Sequence, residues 1–211
     1  MSADWERLPM KSQRPFFDRR QALARLLAAA LAFMWPGSLE ALDPSGADNG
    51  SKTTYLFNFT KFVTWPASKF SAVDAPLIIG FIGAPTLQDS IEEANPESQL
   101  ESRRIVVRRV ANEDDIRRCH IIFIDHSQQS RLKGILAEAR RHNVLSVGES
   151  DNFVPLGGVI NFIVVDGRVR FQINVDAARK AGLKLSSRLL QVGEPVNSDG
   201  KPVNSESRIF R

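Results

Sequence analysis

Residues 120–124 have the sequence His-Ile-Ile-Phe-Ile, and this run is the strongest candidate for a buried strand in the chain. A short apolar run rich in β-branched residues is typical of a strand that is covered on both faces. Similar runs occur at residues 77–82 and 144–147, and a more exposed one at residues 105–107. Segments with helical spacing of apolar residues separate these runs, so the pattern predicts an α/β domain with a mostly parallel sheet.

The C-terminal third of the chain has a different pattern. Residues 159–164 and 168–173 are two β-rich runs joined by a segment that contains Asp166-Gly167, which predicts a hairpin. Asn174 is a suitable cap for the helix that follows. The predicted fold class is therefore a single layered α/β domain with a mostly parallel central sheet, a C-terminal β-hairpin and flanking helices.

The N-terminal segment has the order of a secretory signal: basic residues, an uncharged run at residues 26–35, a Pro-Gly helix breaker and then small residues. The uncharged run is well short of the ~20 residues needed to cross a bilayer. A buried helix of the mature fold and a retained membrane anchor are the alternatives. We expect a cleaved signal peptide at residues 1–41, a linker at 42–53, the folded domain at 54–192 and a disordered polar tail at 193–211.

The charge balance does not favour nucleic-acid binding. The full chain has 28 basic and 24 acidic residues and a formal net charge of +4, and removal of residues 1–41 leaves 22 basic against 20 acidic residues. Acidic residues interrupt the arginines between positions 103 and 118, which is typical of a solvated surface rather than of a basic face for nucleic acid. The single cysteine, Cys119, cannot form an internal disulfide, and we expect it to be a buried, unreactive thiol.

Catalytic motifs are scarce. Asp125-His126 follows the best strand, and ligands of open α/β sheets bind outside the carboxyl ends of strands, so these two residues are the candidate ligand pocket. Neighbours in sequence usually point apart, so they do not form a ready acid–base pair. The histidines show no short ligand spacing, and Gly157-Gly158 indicates close packing of the backbone rather than a phosphate loop. We therefore expect no catalytic residue, no metal site and no cofactor.

Aromatic residues are concentrated between positions 55 and 65. Phe59 and Phe62 share a helical stripe with Tyr55, which is typical of a core face. Phe57 and Trp65 are less easily buried by that face. Because exposed aromatic side chains mark contact surfaces, we expect Phe57 and Trp65 to contact a partner.

Several of these stretches resemble the YfiR-like family of periplasmic proteins. The opening signature is Tyr-Leu-Phe-Asn-Phe-Thr-Lys-Phe-Val-Thr-Trp-Pro at residues 55–66, and residues 119–124 also match. The most specific match is Ser-Val-Gly-Glu at residues 146–149, followed by Phe153 and by Gly-Gly-Val-Ile-Asn-Phe at residues 157–162. Further matches lie at residues 169–174 and 181–190, and the resemblance covers residues 54–192 in the family's order.

The resemblance implies a compact α/β domain in the periplasm that is prone to form a homodimer. The best-understood members bind the periplasmic sensor part of an inner-membrane diguanylate cyclase and hold it inactive, and release of the cyclase raises cyclic di-GMP and favours biofilm formation. Well-known members also carry further cysteines whose disulfides support redox control. Cys119 matches one of those positions, but its partner is missing, so the resemblance does not extend to an internal redox switch.

The leading hypothesis is a periplasmic regulatory binding protein that represses a membrane-bound signalling enzyme, in the first place a diguanylate cyclase, through its periplasmic sensor domain. The alternative is a periplasmic small-molecule receptor that acts on a histidine kinase or a transporter, with a pocket near Asp125, His126, Arg170 and Arg188. A hydrolase that uses His126 is the third hypothesis. The predicted partner-binding residues are Phe57, Trp65, Pro66, Phe153, Arg170 and Arg188.

Overall fold

The computed structural model of the protein describes residues 44–94, 99–100 and 103–203. The predicted signal peptide and residues 204–211 of the predicted tail lie outside these ranges. Within them, the helices are α1 (Pro44–Phe62), α2 (Pro85–Ala94), α3 (Glu113–Arg118), α4 (Leu132–Arg141), α5 (Val175–Lys180) and α6 (Ser187–Val192). The strands are β1 (Val63–Thr64), β2 (Leu77–Ile82), β3 (Gln99–Leu100), β4 (Arg103–Arg109), β5 (Ile121–Ile124), β6 (Leu145–Gly148), β7 (Ile160–Val165), β8 (Arg168–Asn174), β9 (Lys184–Leu185) and β10 (Glu194–Val196).

The main sheet has eight strands within the described residues, in the order β10-β8-β7-β6-β5-β2-β4-β3. Pairing is parallel except at the β7–β8 hairpin and between β3 and β4. The predicted fold class is confirmed, including the hairpin, in which Phe162 of β7 pairs with Phe171 of β8. A second, two-stranded sheet joins β1 to β9.

Helices cover both faces of the sheet. One core combines Phe59 of α1, Ile91 of α2 and Leu189 of α6 with Phe123 of β5. The other combines side chains of α3 and α4 with Ile122 and Ile124 of the same strand. Successive strand residues point to opposite faces, so burial on both sides explains why residues 121–124 are an uninterrupted apolar run.

The chain order of the strands creates a switch point at the centre of the sheet. The connection from β2 through α2 leads to β4 on one side, and the connection from β4 through α3 returns to β5 on the other side of β2. The two helices belong to different cores and therefore lie on opposite faces. Ligands of open α/β sheets bind outside the carboxyl ends of the strands where the strand order reverses. That position is next to Asp125, which follows β5.

The boundaries of the domain differ from the predicted ones. Helix α1 begins at Pro44, so the part of the predicted linker that the structure describes is helical, and Lys52 is 9% exposed. The sequence did not predict this part of the helix, because its residues favour turns and form no apolar stripe. An ion pair of Lys52 with Glu149 connects it to the rest of the domain. The predicted disordered tail is also wrong up to residue 203, because β10 pairs with β8 and Val196 is 1% exposed.

Two asparagine side chains cap helices, and the cap predicted at Asn174 is confirmed. The side chains of Asn112 and Asn174 accept hydrogen bonds from backbone N–H groups at the starts of α3 and α5. Ser127 does not cap α4, which begins five residues later at Leu132. Instead, Asp125 caps a 3₁₀ turn at His126–Gln128.

No helix among the described residues has the length and apolar content required to span a membrane.

Candidate functional site

A cavity of about 570 Å³ lies at the carboxyl ends of the central strands, beside the projecting β7–β8 hairpin. His126 comes from the turn after β5, and Glu149 directly follows β6. Its lining combines polar and apolar side chains. The lining residues are Asp48, Lys52, His126, Glu149, Ser150, Asp151, Asn161, Phe162, Ile163, Val164 and Val169.

Lys52 connects α1 to this end of the sheet. Its Nζ lies 2.5 Å from Oδ2 of Asp48 and 2.6 Å from Oε2 of Glu149. Burial alone would lower the pKa of Lys52, but the hydrogen bonds to the two carboxylates outweigh it and raise the pKa above its ordinary value. The ammonium group therefore remains charged and fixes one oxygen of Glu149.

Asp125 is held in a similar way. Its Oδ1 accepts a hydrogen bond of 2.8 Å from the backbone N–H of Ser127. Burial would raise the pKa of Asp125, but the hydrogen bonds from Ser127 and the nearby His126 and Lys52 lower it below its ordinary value. Gly83, with φ +79°, lets the backbone approach closely, because a Cβ at that position would lie 2.7 Å from Cβ of Asp125.

His126 lies between the two fixed carboxylates. Its Nδ1 is 3.5 Å from Oδ2 of Asp125 and 3.9 Å from Oε1 of Glu149. The 3₁₀ turn thus brings neighbouring side chains to the same side, which sequence reasoning did not expect. Among the described residues, the Asp125 carboxyl lies within reach of His126, but no serine hydroxyl forms a hydrogen bond with this histidine, so the hydrolase hypothesis remains untested.

Asn161 forms the floor of the cavity. The residue is 4% exposed, and its Oδ1 accepts a hydrogen bond of 3.1 Å from the backbone N–H of Ser150. This bond fixes the loop that begins at Glu149. Sequence reasoning missed Lys52, Glu149 and Asn161 as site residues. Glu149 could have been found, because it follows a strand next to β5 and the carboxyl ends of neighbouring parallel strands share one edge of the sheet.

Arg170 and Arg188 do not line this cavity. Arg170 pairs with Ile163 and is exposed on the sheet face opposite to that of Phe171. Arg188 lies on α6 and lines a different cavity. Of the pocket predicted near Asp125, His126, Arg170 and Arg188, the structure brings Asp125 and His126 together at the cavity, and neither arginine lines it.

That second cavity is an apolar groove of about 400 Å³ between α1, β8 and α6. Most of its surface comes from aromatic and aliphatic side chains, and Val192 at its rim is 69% exposed. Tyr55 stacks against Phe59 with ring centroids 6.4 Å apart and donates a hydrogen bond to the carbonyl oxygen of Val169. The lining residues of this apolar groove are Tyr55, Asn58, Phe59, Phe62, Phe171, Arg188, Leu189, Gln191 and Val192.

Two of the predicted partner contacts are buried and cannot face a partner in this conformation. Trp65 is 7% exposed, and its Nε1 donates a hydrogen bond of 3.0 Å to the carbonyl oxygen of His120. Phe153 is fully buried between two glycines, since a Cβ at Gly148 or Gly158 would lie 2.2 Å or 2.1 Å from its ring. The family motif at these positions thus records packing, and the close-packing interpretation of Gly158 is confirmed.

The other predicted contacts remain accessible. Phe57 packs partly against the first core and is half-buried, as is Pro66. By helical geometry, Phe57 lies on the flank of α1 that is opposite to Tyr55 and Phe62. Phe57 therefore does not contribute to the apolar groove.

The opposite end of the sheet is closed. Cys119 and His120 are buried where β5 begins. Burial raises the pKa of the Cys119 thiol to about 11 and lowers that of His120 to about 4. Lys69 closes this end by donating hydrogen bonds to the carbonyl oxygens of Arg117 and His142, and burial lowers its pKa to about 8.

Solved structures offer distant likenesses. A crystal structure of a conserved domain protein from Vibrio cholerae O1 biovar eltor has a TM-score of 0.46 and 12% identity over 69% of this chain and 60% of its own. The ABC domain from Streptococcus pneumonia, solved in complex with L-Trp, has a TM-score of 0.40 and 11% identity over 57% of this chain and 55% of its own. The chain thus spans little more than half the length of either structure. No curated protein sequence matches it.

The family comparison is informative. Residues 50–194 match the family described as YfiR/HmsC-like. This family is periplasmic, and its proteins are regulatory rather than catalytic. The match spans well over half of the chain and includes the main sheet from β2 to β8. The protein therefore belongs to the YfiR/HmsC-like family.

Proposed function

We propose that this protein is a periplasmic repressor that binds the periplasmic sensor domain of a membrane-bound diguanylate cyclase and holds the enzyme inactive. Such a repressor acts by binding the inactive state of its partner more tightly than the active state. It requires a binding surface and no reaction centre. Family membership supports this mode of action. The apolar groove is the observation that supports a particular contact surface for the cyclase.

The apolar groove has the composition of an interface core. Aromatic side chains from α1 and β8 form its floor, and Val192 and Arg188 form its rim. Aromatic residues and arginine are enriched at the energetic centres of protein interfaces. Arg188 is exposed and has no ion pair within the described part of the chain. The groove therefore fits an apolar segment of the cyclase that carries a carboxylate beside it.

The test is cellular cyclic di-GMP in the native host. Deletion of the gene should raise cyclic di-GMP, and the wild-type gene supplied in trans should restore the original level. Val192→Asp should fail to restore it, because a charge at the rim disfavours the apolar contact. Val73→Asp is the matched control, since Val73 is an equally simple exposed valine, 84% accessible, that does not line the groove.

Thermal melting of the two purified variants is the check that both are folded. Full repression by Val192→Asp would exclude the apolar groove as the contact surface. Unchanged cyclic di-GMP after deletion would exclude the cyclase as the partner. It would favour the second candidate function, a small-molecule receptor acting on a histidine kinase or transporter, which the polar cavity at the carboxyl end of β5 supports.

The homodimer that the resemblance implies remains a prediction. Sedimentation velocity of the purified protein at several concentrations would measure it. If the dimer formed through the apolar groove, Val192→Asp would also shift the monomer–dimer equilibrium toward the monomer.

A further inference from the structure

We propose that Asp125, His126 and Glu149 bind one divalent first-row transition-metal ion at the carboxyl ends of β5 and β6. This site is separate from the apolar groove and does not depend on the proposed repressor function. No pair of its ligands has the short helical spacing by which metal sites are recognised in sequence. The tertiary structure brings the third ligand, Glu149, to the first two.

The three ligand atoms converge. Nδ1 of His126 lies 3.5 Å from Oδ2 of Asp125 and 3.9 Å from Oε1 of Glu149, and all three atoms lie within 4.8 Å of one another. Bonds of 2.0–2.2 Å from a zinc ion to nitrogen and oxygen place neighbouring tetrahedral ligands about 3.4 Å apart. The observed separations therefore require only a small closure around an ion.

In Asp125 and in Glu149, one carboxylate oxygen accepts a hydrogen bond and the other oxygen faces His126. The backbone N–H of Ser127 binds Oδ1 of Asp125, and Nζ of Lys52 binds Oε2 of Glu149. The two remaining oxygens are the ones that approach His126. Groups that hold a ligand's outer atom in this way orient metal ligands and tune their affinity.

An independent observation comes from the cavity floor. Asn161 is 96% buried, given its 4% exposure, and uses only its Oδ1, toward the backbone N–H of Ser150. Its Nδ2 makes no hydrogen bond to any residue that the structure describes. Asn161 lines the same cavity as His126 and Glu149. A free amide donor among the lining residues is suited to hold a water molecule or an anion in the same cavity.

The local charge also favours a cation. Asp48, Asp125, Glu149 and Asp151 surround or adjoin the cavity, and Lys52 is the one lysine or arginine that lines it. Four carboxylates against one ammonium leave an excess of negative charge that a divalent ion would reduce. One imidazole and two carboxylates suit zinc, manganese, iron, cobalt or nickel better than magnesium or calcium, which take oxygen ligands.

The experiment is a zinc titration of the purified, untagged protein by calorimetry, with cobalt(II) absorption as a second readout. We expect one ion per chain. His126→Ala and Glu149→Gln should each weaken zinc binding at least tenfold, and His126→Ala should also abolish the cobalt d–d spectrum. His126 is the safer variant for folding, because its side chain is 74% exposed.

The matched control is His142→Ala. Nε2 of His142 lies 2.7 Å from Oε1 of Glu138, so this residue is also a histidine paired with a carboxylate, but at the C-terminal end of α4. The control should bind zinc as the wild type does. Absence of binding to the wild type, unchanged binding by His126→Ala, or a loss of binding in His142→Ala would each overturn the proposal.

Discussion

The two ends of strand β5 carry the same kinds of side chain in opposite environments. At the amino end, Lys69 has no carboxylate partner among the described residues, and burial lowers its pKa to about 8. At the carboxyl end, Lys52 lies between two carboxylates, and its pKa is raised. His120 is 4% exposed, whereas the side chain of His126 is 74% exposed.

This difference separates a structural end of the sheet from an end that can bind. At the amino end, Lys69 donates to backbone carbonyls and the Phe70 ring stacks on His120 at 4.5 Å, although Nε2 of His120 is buried without a hydrogen-bond partner among the described residues. At the carboxyl end, one oxygen each of Asp125 and Glu149 faces the exposed His126, and Nδ2 of Asn161 has no hydrogen-bond partner among the described residues. In a parallel sheet this asymmetry follows from the topology, because loops that leave the carboxyl ends build the ligand sites.

The largest expected effect concerns the closed end. Trp65→Ala should lower the free energy of unfolding by about 3–5 kcal/mol, because it removes a large buried side chain and leaves a cavity. Phe57→Ala, in a half-buried residue of the same segment, should cost clearly less. Urea denaturation of both variants measures the difference. Equal losses would mean that Trp65 is not part of the core.

The next largest expected effect is on the free energy of unfolding at acid pH, which depends on His120. The pKa of His120 is about 4 in the folded protein against 6.5 in the unfolded chain. The unfolded state therefore binds more protons between these values, and stability falls as the pH drops from 6.5 to 4. At the rate of 1.36 kcal/mol per pKa unit, this contribution approaches about 3 kcal/mol.

The measurement is the free energy of unfolding against pH for the wild type and His120→Asn. Asn at position 120 retains an acceptor for the N–H of Ile78, from which His120 Nδ1 now accepts a hydrogen bond. We expect His120→Asn to flatten the slope of the free energy of unfolding between pH 6.5 and 4. The same slope in both proteins would refute the closed environment of His120.

The smallest expected effect concerns the Cys119 thiol, which should not react with a thiol reagent while the protein is folded. Cys119 is 1% exposed, burial raises its pKa to about 11, and its Sγ donates to the carbonyl oxygen of Asp115. Because the thiolate is the reactive form, a disulfide reagent at pH 8 should modify Cys119 only when the protein is unfolded. Ser127→Cys, at the exposed carboxyl end, should add one thiol that reacts at once. Rapid modification of the wild type would contradict a closed amino end.

The sequence by itself determined the fold class and the burial of single elements. The apolar runs at residues 77–82 and 121–124 predicted strands covered on both faces, and Asp166-Gly167 predicted the hairpin. These signals are local, because periodicity and turn chemistry act over a few residues. The family could be predicted from the sequence for the same reason, because its motifs are short segments that pack within those elements.

Only the tertiary structure decided which residues meet. Trp65 and Phe153 look like surface aromatics in sequence, but Trp65 bonds to His120 and Phe153 fits between two glycines. Lys52 and Glu149 are 97 positions apart and form one ion pair. Composition and spacing carry no record of such long-range contacts, because the fold brings residues together across strands whose order in the sheet differs from their order in the chain.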